Sequence, residues 1–190
     1  ANTIYEIRYD FDLNGSTINI PDNCELKFVG GSLKNGTINF SNTLLSGDVK
    51  IKTNISGNIR NGDIYPEWFG AVGDGIIDDS NAFLTAFELI SNSFISIDKF
   101  RRVGYTNTLV LDTNKKYYIT SSLELNFASI NIKGAGTLIY GGKNHCIKFT
   151  KCTGVNIDIS FIAKSDFADT YKVDWNDNPN RTAIILDGVR

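Results

Sequence analysis

The chain has 190 residues, a formal net charge of −2 and an isoelectric point near 5.4, a balance that points to no nucleic acid or other phosphate-rich partner. Hydrophobic residues make up 42% and charged residues 21%, which excludes a disordered chain and allows a buried core in one or two domains. No apolar run approaches the roughly 18 residues of a membrane span, so neither membrane insertion nor a signal peptide is expected.

Ile, Thr, Asn, Gly and Phe abound and Met is absent. β-Branched residues with frequent Asn and Gly turns favour a strand-rich fold. Without an initiator Met, the expectation is that the chain starts at a processed or trimmed end. Cys24, Cys146 and Cys152 have no metal-ligand spacing. Their odd number leaves at least one free thiol, and they read as small core residues.

Residues 1–64 contain a repeat. Gly31-Ser-Leu-Lys-Asn-Gly-Thr-Ile38 and Gly57-Asn-Ile-Arg-Asn-Gly-Asp-Ile64 share one form, offset by 26 residues. Related pieces start at Gly15 and Gly47. The Asn-Gly pairs suit hairpins, whereas recurrence at such a period favours stacked coils of a solenoid, the preferred alternative. Alternation in Glu25-Leu-Lys-Phe28 and Val49-Lys-Ile-Lys52 fits strands with one buried face.

Pro66 marks a break, followed by a loop in which Gly70, Gly73 and Gly75 supply backbone freedom. The one clear helix begins near Ser80. Phe83, Ala86, Phe87 and Ile90 fall at i, i+3, i+4, i+7, with Asn81, Thr85, Glu88 and Asn92 opposite. Asp78 or Asp79 stands where an N-cap belongs. Trp68 and Phe69 are expected to pack rather than to offer a sugar platform.

The run Trp68-Phe69-Gly70-Ala-Val-Gly73-Asp74-Gly75-Ile-Ile-Asp78-Asp79, leading into an amphipathic helix, resembles the opening motif of the pectate-lyase-like superfamily. The resemblance implies a right-handed parallel β-helix, a fold that serves secreted polysaccharide lyases and hydrolases and also bacteriophage tailspikes. The Pro66-Glu-Trp-Phe-Gly70 variant is similar to tail and surface proteins of gut bacteria and their phages. The fold expected is therefore all-β: a right-handed parallel β-helix with one short N-terminal capping α-helix (65–190), preceded by a small β-solenoid-like region (1–64). Capping answers a physical need, since an open coil end exposes unpaired strand edges and apolar side chains.

Residues 94–107 read as an irregular connector. Thr108–Ile119 resembles the superfamily's strand, turn and Tyr-x-Ile element, with Asp112-Thr113-Asn114 where the family often has Pro-x-Gly. Beyond it, Leu123–Phe127, Ile130–Ile132, Ile147–Phe149 and Val155–Ile159 read as successive short strands. Ile130 and Val155 lie one step of 25 apart. Ala183–Asp187 resembles Cys146–Phe149 at the longer offset of 37, so extra residues protrude before it. The chain stops in mid-coil at Arg190, which suggests the N-terminal part of something longer.

Three places in the chain are candidates for chemistry. Asp74, Asp78 and Asp79 bring calcium to mind through the resemblance, but their spacing matches no calcium loop and capping accounts for two of them, so no metal or other cofactor is expected. The protruding stretch 164–180 holds Asp166, Asp169, Tyr171, Asp174, Trp175 and Asp177. Aromatics beside carboxylates suit carbohydrate binding, an acid pair for glycoside hydrolysis is conceivable, and a plain solvated loop is the bland alternative. His145 has no Ser or Cys partner at a recognisable spacing, so no triad is read. No catalytic residue is carried over.

Function follows from the resemblance. The chain is expected to belong to a phage tailspike or tail fibre in the virion tail that recognises bacterial surface polysaccharide, with degradation of that polysaccharide left open. A homotrimer in contact with other tail proteins is implied. The rival is a secreted or surface polysaccharide lyase or hydrolase of a gut bacterium.

Overall fold

The computed structural model describes residues 2–92, 94–96, 102–104, 107–126, 129–142, 144–152, 154–163 and 184–187. These form a β-rich assembly whose strands pair in parallel in all but one case, with one α-helix among the described residues. In chain order come β1 (Ile4–Ile7), β2 (Phe11–Asp12), β3 (Thr17–Asn19), β4 (Glu25–Phe28), β5 (Leu33–Gly47), β6 (Ile51–Ile59) and β7 (Asp63–Ile64). A 3₁₀ turn (Pro66–Phe69), β8 (Asp74–Asp78) and α1 (Ser80–Asn92) follow. After them lie β9 (Phe94–Ser96), β10 (Arg102–Gly104), β11 (Asn107–Val110), β12 (Lys116–Ile119) and β13 (Leu123–Asn126). The last are β14 (Ile130–Tyr140), β15 (Ile147–Thr150), β16 (Val155–Ala163) and β17 (Ile184–Asp187).

Long β5 is not straight. Asn35 (φ 58°) and Asn42 (φ 47°) take left-handed backbone, which Asn tolerates better than most residues. The register shifts after Lys34 and after Phe40 when β5 pairs with β6. Three segments result, and β2, β3 and β4 pair with them in the same order: Phe11 opposite Leu33, Thr17 opposite Thr37, Glu25 opposite Leu44. All of these pairings are parallel, so the Asn-Gly pairs do not close hairpins.

The plan recurs after α1. β11 pairs with the first half of β14, β12 with its second half, and β13 with β15. One layer further, β16 continues both halves of β14 and β17 continues β15. The expected partnerships of Ile130 with Val155 and of Ile147 with Ile184 are both observed. By contrast, the copies of the 26-residue repeat do not stack: Gly57 lies opposite Phe40 and Ile59 opposite Thr43. The 94–107 connector carries a short antiparallel pair, β9 with β10.

Side chains alternate as the pleat requires. Leu26, Phe28, Val49 and Ile51 are buried while Lys27, Lys50 and Lys52 face solvent. One hydrophobic cluster runs from Ile7 to Cys152, across the boundary drawn at residue 64, and β7 itself pairs with β11. α1 packs against β6, β13 and the 3₁₀ turn. Its buried face holds the expected Phe83, Ala86, Phe87 and Ile90, widened by Ala82 and Leu89. Each large apolar side chain there contributes about 1.5–3 kcal/mol by area.

Polar side chains form ladders across the strands. Asn39 Nδ2 donates to Asn19 Oδ1 at 2.7 Å, and Ser56 Oγ donates to Asn39 Oδ1. Asn61 replaces a strand: its amide accepts from Leu45 N–H at 2.9 Å and donates to Leu45 O at 2.8 Å. That satisfies backbone groups which would otherwise be left open at the end of the ladder.

Candidate functional site

The motif between Tyr65 and Ser80 is a knot of backbone-directed side chains. Pro66 opens the 3₁₀ turn, and Gly70 ends it at φ 94°, donating to Glu67 O at 3.0 Å. Trp68 and Phe69 are half-buried and pack on the core, with ring centroids 6.5 Å apart and edge to face. Gly73 and Gly75 also take positive φ. The Asp74 carboxylate accepts from Ile76 and Ile77 N–H, both at 2.8 Å, closing a local turn. Those amides hold it below the usual carboxylate range.

Asp79 corrects the capping expectation. Its backbone carbonyl accepts from Ala82 and Phe83 at the helix start. Its side chain instead turns back onto the glycine loop, accepting from Val72 N–H at 2.7 Å and Gly73 N–H at 3.1 Å. Loop amides win because the buried carboxylate faces them in a tight, positive-φ bend. Burial pushes its pKa above the ordinary carboxylate value, and the backbone donors offset only part of that. Asp78 supplies the cap-like bond, accepting from Ser80 N–H at 3.0 Å.

Asp78 also accepts from the hydroxyls of Ser80 and Thr120. Ser80 Oγ in turn accepts from Thr120 and Ser121 N–H at 2.9 and 3.1 Å. The helix start is thereby tied to the end of β12. For Asp78, burial pushes the pKa up, but the hydroxyl and amide donors together outweigh it and leave the pKa lowered. A lowered folded value means the stabilisation is complete above the ordinary 3.8 and is lost as pH falls through the folded value. Asp78→Asn is expected to flatten this acid limb, read from denaturation midpoints taken from neutral to acid pH. An unchanged limb would show that Asp78 does not carry it.

The three aspartates thus serve the backbone. Among the described residues, no group of three or more His, Cys, Asp or Glu is placed to hold a metal ion. No family model, no curated protein and no solved structure matches the chain.

Behind the motif, Tyr117 Oη donates to Glu67 Oε1 and accepts from Asp112 N–H at 3.0 Å. Burial, and then the Glu67 carboxylate, push the phenol far above its ordinary range. It acts as a fixed strut between β12 and the 3₁₀ turn, not as an acid or base. His145 Nε2 stands 3.4 Å from Glu124 Oε1, and the His145 carbonyl accepts from the hydroxyls of Ser122 and Tyr140. Ser122 thus meets the backbone of His145 and not its imidazole. Asp166, Asp169, Tyr171, Asp174, Trp175 and Asp177 lie outside the described residues.

Beside the motif is an open groove of about 410 Å³ between β5, β6 and α1, within the usual range of ligand pockets. Asn35, Lys52, Asn54, Phe69, Asn81 and Thr85 line it. Asn81 and Thr85 were legible as the polar face of the helix. That β6 lies opposite them was not, since only tertiary packing brings Lys52 and Asn54 to that face.

Proposed function

We propose that the chain is part of a bacteriophage tailspike- or tail-fibre-like protein that recognises a bacterial surface polysaccharide. Its fold is a right-handed parallel β-helix, with α1 sealing the first coil of the main stack. The carrying observation is the repeated order of pairing: β2, β3 and β4 onto three segments of β5, then β11, β12 and β13 onto β14 and β15. Stacked coils of one chain would produce that order.

The motif from Trp68 to Asp79 supports the family likeness, and the hydroxyl- and amide-rich surface suits a glycan better than an apolar ligand. In this reading three copies lie side by side in the virion tail. Light scattering tests the assembly, with an expected mass three times the 21.0 kDa of one chain. Retention of capsular and O-chain polysaccharides from a panel of gut bacteria tests recognition. A monomer at high concentration that retains none of them would sink the proposal.

A further inference from the structure

We propose that the groove between β5, β6 and α1 binds an anionic saccharide unit, with Lys52 holding its carboxylate, sulfate or phosphate. The inference rests on the polysaccharide reading above and adds to it a place and a charge. Lys52 is the one charged residue among those that line the groove, and none of them is acidic. It forms no ion pair with another described residue. Lys34 lies opposite it in the β5–β6 register, but there Asp12 of β2 stands across from Lys34, so Lys52 is the cation left to the groove. An exposed ammonium is best matched by an anion with its own hydrogen-bond acceptors.

The remaining lining suits a sugar ring. Phe69 offers an apolar surface whose orientation is fixed by its edge-to-face contact with Trp68 at 72°. Asn54 and Asn81 each present a donor and an acceptor, as neighbouring hydroxyls require. Thr85 Oγ1 already donates to Asn81 O at 2.9 Å, which leaves its lone pairs to accept. Asn35 Nδ2 donates one of its two hydrogens to Asp12 at 2.9 Å, which leaves the second N–H and the carbonyl oxygen of the amide. Apart from Phe69 at the end of the 3₁₀ turn, these groups stand on a strand ladder and a helix, elements that hold a site more precisely than loops do.

The test uses the whole 190-residue chain and three probes: a glucuronate-containing tetrasaccharide, the same tetrasaccharide after carboxyl reduction, and a sulfated form of the reduced one. Calorimetry gives the affinities, and amide shifts of Asn54 and Thr85 report the place. Both anionic probes are expected to bind roughly tenfold more tightly than the neutral one, about 1.4 kcal/mol. Lys52→Gln is expected to remove that difference, and Phe69→Leu to weaken all three probes alike. Equal binding of neutral and anionic probes, or affinity indifferent to Lys52→Gln, overturns the inference. If the polysaccharide panel is retained while the groove amides stay still, the groove assignment alone fails. If no polysaccharide is retained, the polysaccharide reading fails and the inference falls with it.

Discussion

Phe87→Asp is expected to abolish folding or drive the protein into aggregates. Phe87 is 2% exposed and sits with Phe83, Ala86, Leu89 and Ile90 in the face that α1 presents to β6 and β13. Truncating a buried Phe costs about 3–5 kcal/mol. Placing an unpartnered carboxylate in the same space adds several kcal/mol more. Domains of this size are stable by only about 5–15 kcal/mol, so the two losses together exceed or exhaust what is available. Phe87→Leu, about 1 kcal/mol destabilising, keeps the measurement informative where the aspartate variant cannot be purified. Glu88→Ala, on the exposed face, is expected within about 0.5 kcal/mol of the parent. Soluble yield and urea midpoints decide it. A soluble Phe87→Asp protein with unchanged melting would show that the helix seals nothing.

The second large effect is expected at Gly57. Its φ is +78°, and a Cβ there would lie 1.9 Å from Phe40 O on the neighbouring strand. Two separate costs are joined at one residue: left-handed backbone and collision with a carbonyl that the ladder holds in place. Gly15 and Gly62 separate them. Gly15 has φ +76° with nothing near, and Gly62 has neither a positive φ nor a neighbour within 4 Å. Gly62→Ala is expected to be near neutral and Gly15→Ala to cost about 1 kcal/mol. Gly57→Ala is expected to cost about 3 kcal/mol or more. Denaturant midpoints of the three variants rank them directly. Equal losses at Gly15 and Gly57 would mean that β5 yields freely to the added methyl.

Much of this was legible in the residues, and for identifiable reasons. Alternation marked Leu26, Phe28, Val49 and Ile51 because a pleated strand buries every second side chain. The period of α1 marked Phe83 and Phe87 because one stripe of a helix meets the core. The steps from Ile130 to Val155 and from Ile147 to Ile184 were readable because those residues lie in stretches that pair without a register shift. The 26-residue repeat misled because similar Asn-Gly pairs do different local work. Asn35 bends β5 through its backbone, whereas Asn61 bridges to Leu45 through its side chain. Left-handed bends and register shifts absorb residues, so spacing along the chain is not spacing from one strand to its partner. Asp79 was placed correctly at the helix start, but its carboxylate answers to a loop six and seven residues earlier. The groove joins β6 to α1, and no local pattern in either announces the other.

One feature of the pairing reaches beyond stability. β16 stays aligned on β14, and β17 on β15, although some twenty residues separate β16 from β17. The residues between these two strands can therefore be exchanged for others of different number or composition while the strand pairings before and after them keep their register. A scaffold built this way tolerates a change in chain length between two strands at little cost to the pairing that holds it together.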